Sequence, residues 1–309
     1  MAAPKQYQFQ YTEFWQGRTG LSFGVERILF NRQSAYQQVQ VLQTDAFGRV
    51  LTLDGLVMLT ERDEFVYHEM ICHPALCLLP HPRRVLIVGG GDGGTLREVL
   101  RYAEIEQVDL VEIDEVVIEA ARTCFPELSR AFDDPRARLH VADGAAFVRE
   151  AAPATYDLII VDSTDPVKFA EGLFGESFYR DCARLLREDG MLVTQSESPF
   201  DQTFQASIQA AHAMLGRLFS QVHMYLAHIP TYPMGLWSFM LASKRLHPVD
   251  DFDSEQAARR LAPFANRLRY YNVELHRAAF ALPSFVRRLF ADARSRPAHP
   301  ESLHSNDIG

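Results

Sequence analysis

Residues 84–102 read RVLIVGGGDGGTLREVLRY. Four apolar positions, Val85 to Val88, run straight into a glycine cluster, and Leu96, Val99 and Leu100 then recur at helical spacing. This is a strand, a tight loop and the start of a helix, the unit from which parallel α/β sheets are built. Working outward, the same strand-then-helix rhythm repeats. QVDLVEID (107–114), RLHVAD (138–143), YDLIIVD (156–162) and GMLVTQ (190–195) read as strands. Helical patterns lie near 115–124, 144–151, 176–187 and 201–215. Near-continuous apolar strands separated by helices predict a Rossmann-like, doubly wound, mostly parallel sheet. QVHMYLAHI (221–229) and LWSFMLASK (236–244) read as later strands, and 254–292 as helical.

Upstream the period changes. VERILFNR (25–32), YQQVQVLQT (36–44) and RVLTLDGLVML (49–59) are short β-rich runs, with Phe47-Gly48 and Asp54-Gly55 as turns. Residues 1 to about 60 alternate in a β-like way throughout, and we expect one small antiparallel sheet there. Thr60, with Asp63 three residues on, reads as the start of a helix over roughly 63–79. The expected organisation is an N-terminal β domain over 1–62, a connecting helix over 63–82, a catalytic domain over 83–292 and a loose tail over 293–309.

The chain has 309 residues, 47% of them hydrophobic, and a formal net charge of −9. That charge argues against nucleic acid as a partner, since phosphate binding needs a basic face. No apolar run reaches the length of a membrane span, and the first residues lack a signal-peptide pattern. Cys72, Cys77, Cys124 and Cys182 are scattered, with no CxxC, and read as reduced core thiols of a cytosolic protein.

Ligands of such sheets sit at the carboxyl ends of the strands. Here the rim carries Asp92 in the glycine loop, Glu112, Asp143 and Asp162, with Asp165 three residues beyond. Like charges gathered at one rim repel, so bound cations or hydroxyls are expected there. Glu112 follows the glycines at the spacing of a ribose-binding acid; Asp143 can accept from an adenine amine. Asp92 is the deciding residue. A carboxylate inside the loop repels the pyrophosphate or carboxylate that a helix start would otherwise welcome, and it pairs with an ammonium. An adenosyl sulfonium with an amine tail meets these conditions.

Asp162 and Asp165 then face an amine. A primary alkylamine has a pKa near ~10.4, so at neutral pH about one in 2,500 is free base, a deficit of about 4.6 kcal/mol. A positioned carboxylate can offset that deficit by taking the proton. We read Asp162 as that base, the Tyr67 hydroxyl as its aid, and Asp165 as holder of a distal ammonium. No metal or resident cofactor is required, because a sulfonium is already an activated leaving group. His68 and His73 in HEMICH lie five apart, about 140° around a helix, and do not form a paired metal site.

SAYQQVQV, LDGLVMLTERDEFVYHEM, VLIVGGGDGGTLREVLRY, VEIDEVVI, ADGAAFV, YDLIIVDSTDP, IPTYPMGLWSF and YYNVELHRAAFALPSF together resemble the polyamine aminopropyltransferases, spermidine synthases in particular. The resemblance implies transfer of an aminopropyl group from decarboxylated S-adenosylmethionine, a co-substrate, to a diamine such as putrescine. It implies that Gln37, Leu53, His68, Asp92, Glu112 and Asp143 hold the donor, together with Gly89, Gly91, Ile113 and Gly144. Tyr67, His68, Asp162, Asp165 and Tyr232 would surround the acceptor. A homodimer or homotetramer is also implied. Three departures fall near the acceptor: Met58 stands where the family has glutamine, Lys168-Phe169-Ala170 where it has Gly-Pro-Ala, and Met234 where it has serine. They raise the expectation of an acceptor other than putrescine. The rival functions are a methyltransferase using intact S-adenosylmethionine, a nicotinamide oxidoreductase and a non-catalytic polyamine binder.

Overall fold

The computed structural model describes residues 7–15, 19–163, 172–173 and 175–293. Strands β1 (Phe9–Trp15) and β2 (Thr19–Val25) pair antiparallel as a two-stranded sheet. A second sheet runs in sequence order through β3 (Arg27–Gln33), β4 (Gln38–Gln43), β5 (Arg49–Leu53) and β6 (Leu56–Thr60). The expected single sheet is therefore two. The change of partner falls at Glu26: Val25 accepts from Gln8, whereas Glu26 donates to Gln43. Asp54 and Gly55 both have positive φ, the type I′ geometry that suits the right-handed twist of a two-residue hairpin between β5 and β6.

Helix α1 (Glu64–Leu78) is buried on nearly every face. It begins one turn later than a Thr60 cap would place it. The Thr60 hydroxyl bonds the Asp63 carboxylate at 2.6 Å, and Asp63 Oδ2 takes the backbone and side chain of Thr231 at 3.1 and 2.7 Å. Pro74 sits inside this helix and has no N–H for the Met70 carbonyl four residues back. The Tyr225 hydroxyl fills that vacancy at 2.8 Å. Glu69, equally buried, accepts the backbone amides of Arg269, Tyr270 and Tyr271.

The remaining strands are β7 (Arg84–Gly89), β8 (Gln107–Glu112), β9 (Ala137–Val141), β10 (Tyr156–Asp162), β11 (Leu186–Gln195), β12 (Gln221–His228) and β13 (Leu236–Ser243). They form one sheet in the order β12-β13-β11-β10-β7-β8-β9. Neighbours from β11 to β9 run parallel; β13 runs antiparallel to both β11 and β12. Alternate residues feed two cores. Val85, Ile87, Leu158 and Ile160 pack towards α1, while Leu86, Val88, Ile159 and Val161 pack towards the opposite layer. Burial on both faces explains the unbroken apolar runs.

The helices between the strands are α2 (Gly94–Val99), α3 (Glu115–Cys124), α4 (Pro126–Ser129), α5 (Gly144–Glu150), α6 (Glu176–Leu185) and α7 (Gln205–Gly216). Helix α6 passes directly into β11 at Leu186, so the expected helix to 187 ends two residues early. The stretch 254–292 breaks into α8 (Ser254–Leu261), α9 (Val273–Ala279) and α10 (Ser284–Ala293). Strand order reverses at β7, which lies between β8 and β10. The carboxyl ends of β7 and β10 therefore flank the crevice where such sheets bind ligands. All four cysteines are free and buried. No described helix is long and apolar enough to cross a membrane.

Candidate active site

A cavity of about 670 Å³ opens at that crevice. Its wall includes every expected donor and acceptor residue that lies among the described residues: Gln37, Leu53, Tyr67, His68, Gly89, Gly91, Asp92, Glu112, Ile113, Asp143, Gly144, Asp162 and Tyr232. Asp165, Lys168 and Phe169, and most of the 163–175 segment, fall outside the described residues.

The glycine loop shows why those residues are glycines. Gly89 and Gly90 have φ of 87° and 71°. A Cβ on Gly89 would lie 2.0 Å from the Asp162 carbonyl oxygen, and one on Gly94 would lie 2.2 Å from the His68 ring. The bare backbone lets β7, β10 and α1 bring their side chains to one place. There Asp92 Oδ1 accepts the Gly94 amide at 2.6 Å. The start of α2 is thus filled by the chain's own carboxylate, where a pyrophosphate would otherwise bind.

Around Asp92 the charges alternate. His68 Nε2 stands 3.3 Å from Asp92, and His68 Nδ1 is 2.6 Å from Glu64. Glu64 in turn takes Arg97 through two nitrogens, at 3.0 and 2.9 Å. Burial disfavours the His68 charge, but the Asp92 and Glu64 carboxylates outweigh it and lift the imidazole to about 10. Burial likewise opposes ionisation of Asp92, yet the imidazolium and the Gly94 amide hold its pKa below the ordinary value. His68, Asp92 and Asp162 offer ligand atoms within 4.8 Å of one another. Both ring nitrogens of His68 already face carboxylates, so this is an ion-pair cluster of the chain's own making. His73 looks elsewhere, to Tyr102 at 2.7 Å and Glu98 at 3.1 Å.

Asp162 ends β10. Its Oδ1 accepts the Tyr67 hydroxyl at 2.8 Å and its Oδ2 the Thr95 hydroxyl at 2.6 Å. Burial and then the neighbouring Asp92 charge push its pKa up, while His68, Thr95 and Tyr67 oppose the rise. The Tyr232 ring lies 5.8 Å from Tyr67, and its hydroxyl donates to the Met58 carbonyl at 2.6 Å. Glu112 is tied at both oxygens, by the amides of Gly91 at 3.1 Å and Asp114 at 2.9 Å; burial nonetheless raises it to about 7. Gln37 Nε2 donates to Asp114 Oδ2 at 3.0 Å. Asp143 Oδ1 is spent on capping α5 through Ala145 and Ala146, so an adenine amine would have to use Oδ2.

Two family matches cover most of the chain. Residues 64–253 match the spermine/spermidine synthase domain, and residues 10–61 the spermidine synthase tetramerisation domain. The polyamine aminopropyltransferase of Alkaliphilus metalliredigens is 48% identical over 281 residues, covering 90% of this chain and 96% of its own length. That of Clostridioides difficile is 43% identical over 279 residues, covering 90% and 97%. This chain belongs to the polyamine aminopropyltransferase family. Among solved structures, a spermidine synthase in complex with the transition-state analogue AdoDATO superposes at a TM-score of 0.88 with 41% identity. It covers 94% of this chain and 97% of its own. The spermidine synthase of Thermotoga maritima gives 0.86 and 41%, covering 94% and 96%. The methyltransferase, oxidoreductase and binding-protein rivals fall with this assignment; the chain is an aminopropyltransferase.

The aminopropyltransferase cavity also has walls that sequence reasoning missed. Glu13 and Trp15 of β1, Glu64 of α1, Gln195 at the end of β11 and Glu197 just beyond it all line it. Glu64 was legible as the i, i+4 partner of His68. Nothing local marks Glu13, whose carboxylate accepts the Val57 amide 44 residues away at 3.1 Å. Of the departures, Met58 lines the cavity, whereas Met234 is 39% exposed and does not.

Proposed function

We propose that the enzyme transfers the aminopropyl group of decarboxylated S-adenosylmethionine to a diamine, putrescine first, giving spermidine and methylthioadenosine. One observation carries this reading: Asp162, held by two hydroxyls, lies in one cavity with Asp92, whose carboxylate fills the start of α2, and with the buried Glu112. Glu112 takes the ribose hydroxyls, Asp143 the adenine amine, and Asp92 the donor ammonium. Gln37, Leu53, Gly89, Gly91, Ile113 and Gly144 frame the nucleoside. Tyr67, His68 and Tyr232, with Asp165, frame the acceptor.

In the reaction Asp162 takes a proton from the acceptor ammonium. The freed nitrogen pair attacks the propyl carbon bound to sulfur, the C–S bond breaks, and its electrons return to sulfur as the neutral thioether of methylthioadenosine. The proton passes from Asp162 to solvent. Alignment supplies the remainder of catalysis.

The experiment is mass spectrometry of purified enzyme with the decarboxylated donor and putrescine, cadaverine, diaminopropane or spermidine. Methylthioadenosine plus an acceptor heavier by one aminopropyl unit supports the reading. Asp162→Asn should abolish turnover and leave methylthioadenosine binding intact; near-normal turnover would remove Asp162 from the role of base. Met58 supports a second reading, with an acceptor other than putrescine preferred, because an apolar thioether lines the wall where an amide is expected. A strong putrescine preference rejects it. The tetramerisation-domain match over 10–61 supports a homodimer or homotetramer, and four free buried thiols fit a cytosolic setting.

A further inference from the structure

Thr95 lies in the first turn of α2 and is fully buried. A threonine inside a helix ordinarily turns its hydroxyl back to a carbonyl one turn earlier. Here it reaches across to β10 and donates to Asp162 Oδ2 at 2.6 Å, the counterpart of the Tyr67 bond to Oδ1. We propose that Thr95 is a positioning residue for the aminopropyl transfer, clamping the Asp162 carboxylate in its ionised, base-competent form. This rests on the reading of Asp162 as the base.

The electrostatics show what the clamp opposes. Among the described residues, Tyr67, His68 and Cys72 face Asp162 from α1, and Asp92 faces it from the loop after β7. The adjoining strand β7 brings Gly89, and β11 brings Thr194 beside Val161, neither of them charged. Burial and Asp92 both favour the protonated acid, which cannot accept the substrate proton. His68 is shared with Asp92 and Glu64, so among the described residues the two hydroxyls are the donors committed to Asp162. A hydrogen bond made to the charged form favours that form. Tyr67 belongs to the cavity wall and shares the acceptor side. Thr95 is not among the cavity-lining residues, and its hydroxyl acts through Asp162.

The test is the pH profile of kcat/KM for putrescine in Thr95→Val, which keeps the shape and removes the hydroxyl, and in Thr95→Ser, which keeps the hydroxyl. The acidic limb should move up by about one pH unit in Thr95→Val, lowering activity about tenfold below the limb. Methylthioadenosine affinity should stay within twofold, and Thr95→Ser should restore the wild-type limb. An unmoved limb in Thr95→Val, or a serine variant as displaced as the valine one, overturns the proposal. If Thr95→Val fails to bind methylthioadenosine, Thr95→Ala takes its place under the same two criteria. Asp162→Asn separates the two failures. An inactive Asp162→Asn with an unmoved Thr95→Val limb defeats the clamp alone, whereas an active one defeats the base assignment beneath it.

Discussion

His68 Nε2 stands 3.3 Å from Asp92 Oδ1, so the acid we assign to the donor ammonium already faces a cation supplied by the chain. The other ring nitrogen meets Glu64 at 2.6 Å. A histidine between two carboxylates is worth most while it is charged. Its folded pKa, near 10, lies above the ordinary 6.5. The stabilisation is therefore present in full below about pH 6.5 and is lost as pH rises through 10. His68→Gln leaves buried acids without their partner and should cost about 3–5 kcal/mol at pH 6.5. The stability gap from wild type should shrink steadily as pH rises to 10.5. Urea unfolding at a series of pH values checks this, and a gap independent of pH would contradict it.

Glu112 presents the opposite case. Burial lifts its pKa to about 7, so in the empty enzyme half of the molecules carry a neutral acid at that pH. Ribose hydroxyls bind best to the carboxylate. Methylthioadenosine affinity should rise about tenfold between pH 6 and pH 8. Glu112→Gln should weaken binding by about ten- to a hundredfold and flatten the pH dependence. Titration calorimetry at three pH values measures both effects.

Gly89 combines a φ of 87° with an approach that leaves no room for a side chain, since an added Cβ falls 2.0 Å from the Asp162 carbonyl oxygen. That oxygen also accepts the Gly90 amide at 2.8 Å. Gly89→Ala should lose more than about 2 kcal/mol of stability and most of its turnover, because the displaced backbone carries Asp162. Gly216, where a Cβ meets nothing within 4 Å, is the control; Gly216→Ala should change stability by less than about 1 kcal/mol. Chemical denaturation midpoints compare the two.

Met58 presents its carbonyl to Tyr232 at 2.6 Å, a contact that survives any side-chain change. Met58→Gln should therefore fold normally and act only on the acceptor. We expect it to raise kcat/KM for putrescine relative to cadaverine several-fold while donor KM stays put. Competition between the two diamines, read by mass spectrometry, measures the ratio; an unchanged ratio would show that position 58 does not select the acceptor.

Much of this is legible in the sequence alone. The glycine run, the acids that end β8 and β10 and the apolar runs of β7 and β10 follow directly from local pattern, because a parallel strand buried on both faces has little freedom of composition. What escaped had a non-local cause. Nothing in the local pattern marks Glu98, yet it is fully buried, bonded to His73 and to Arg97 and Arg101. No helical period reports a partner from another helix. The N-terminal β pattern did not reveal two sheets, because strand periodicity fixes which side chains share a face and not which strand lies alongside. Thr60 and Asp63 had the spacing of a capping pair, but Thr231, 168 positions later, claimed the acid.

Helix α1 is fastened to chain that is made much later: the Met70 carbonyl to Tyr225, Asp63 to Thr231, and Glu69 to the amides of Arg269–Tyr271. Those contacts span 155 to 202 positions. During synthesis Tyr67 and His68 emerge early, whereas the last of these fastenings arrives only when nearly nine-tenths of the polypeptide has been made. Closing such distant loops is slow, so the helix that carries Tyr67 and His68 takes its full set of partners only once the C-terminal part of the chain is in place.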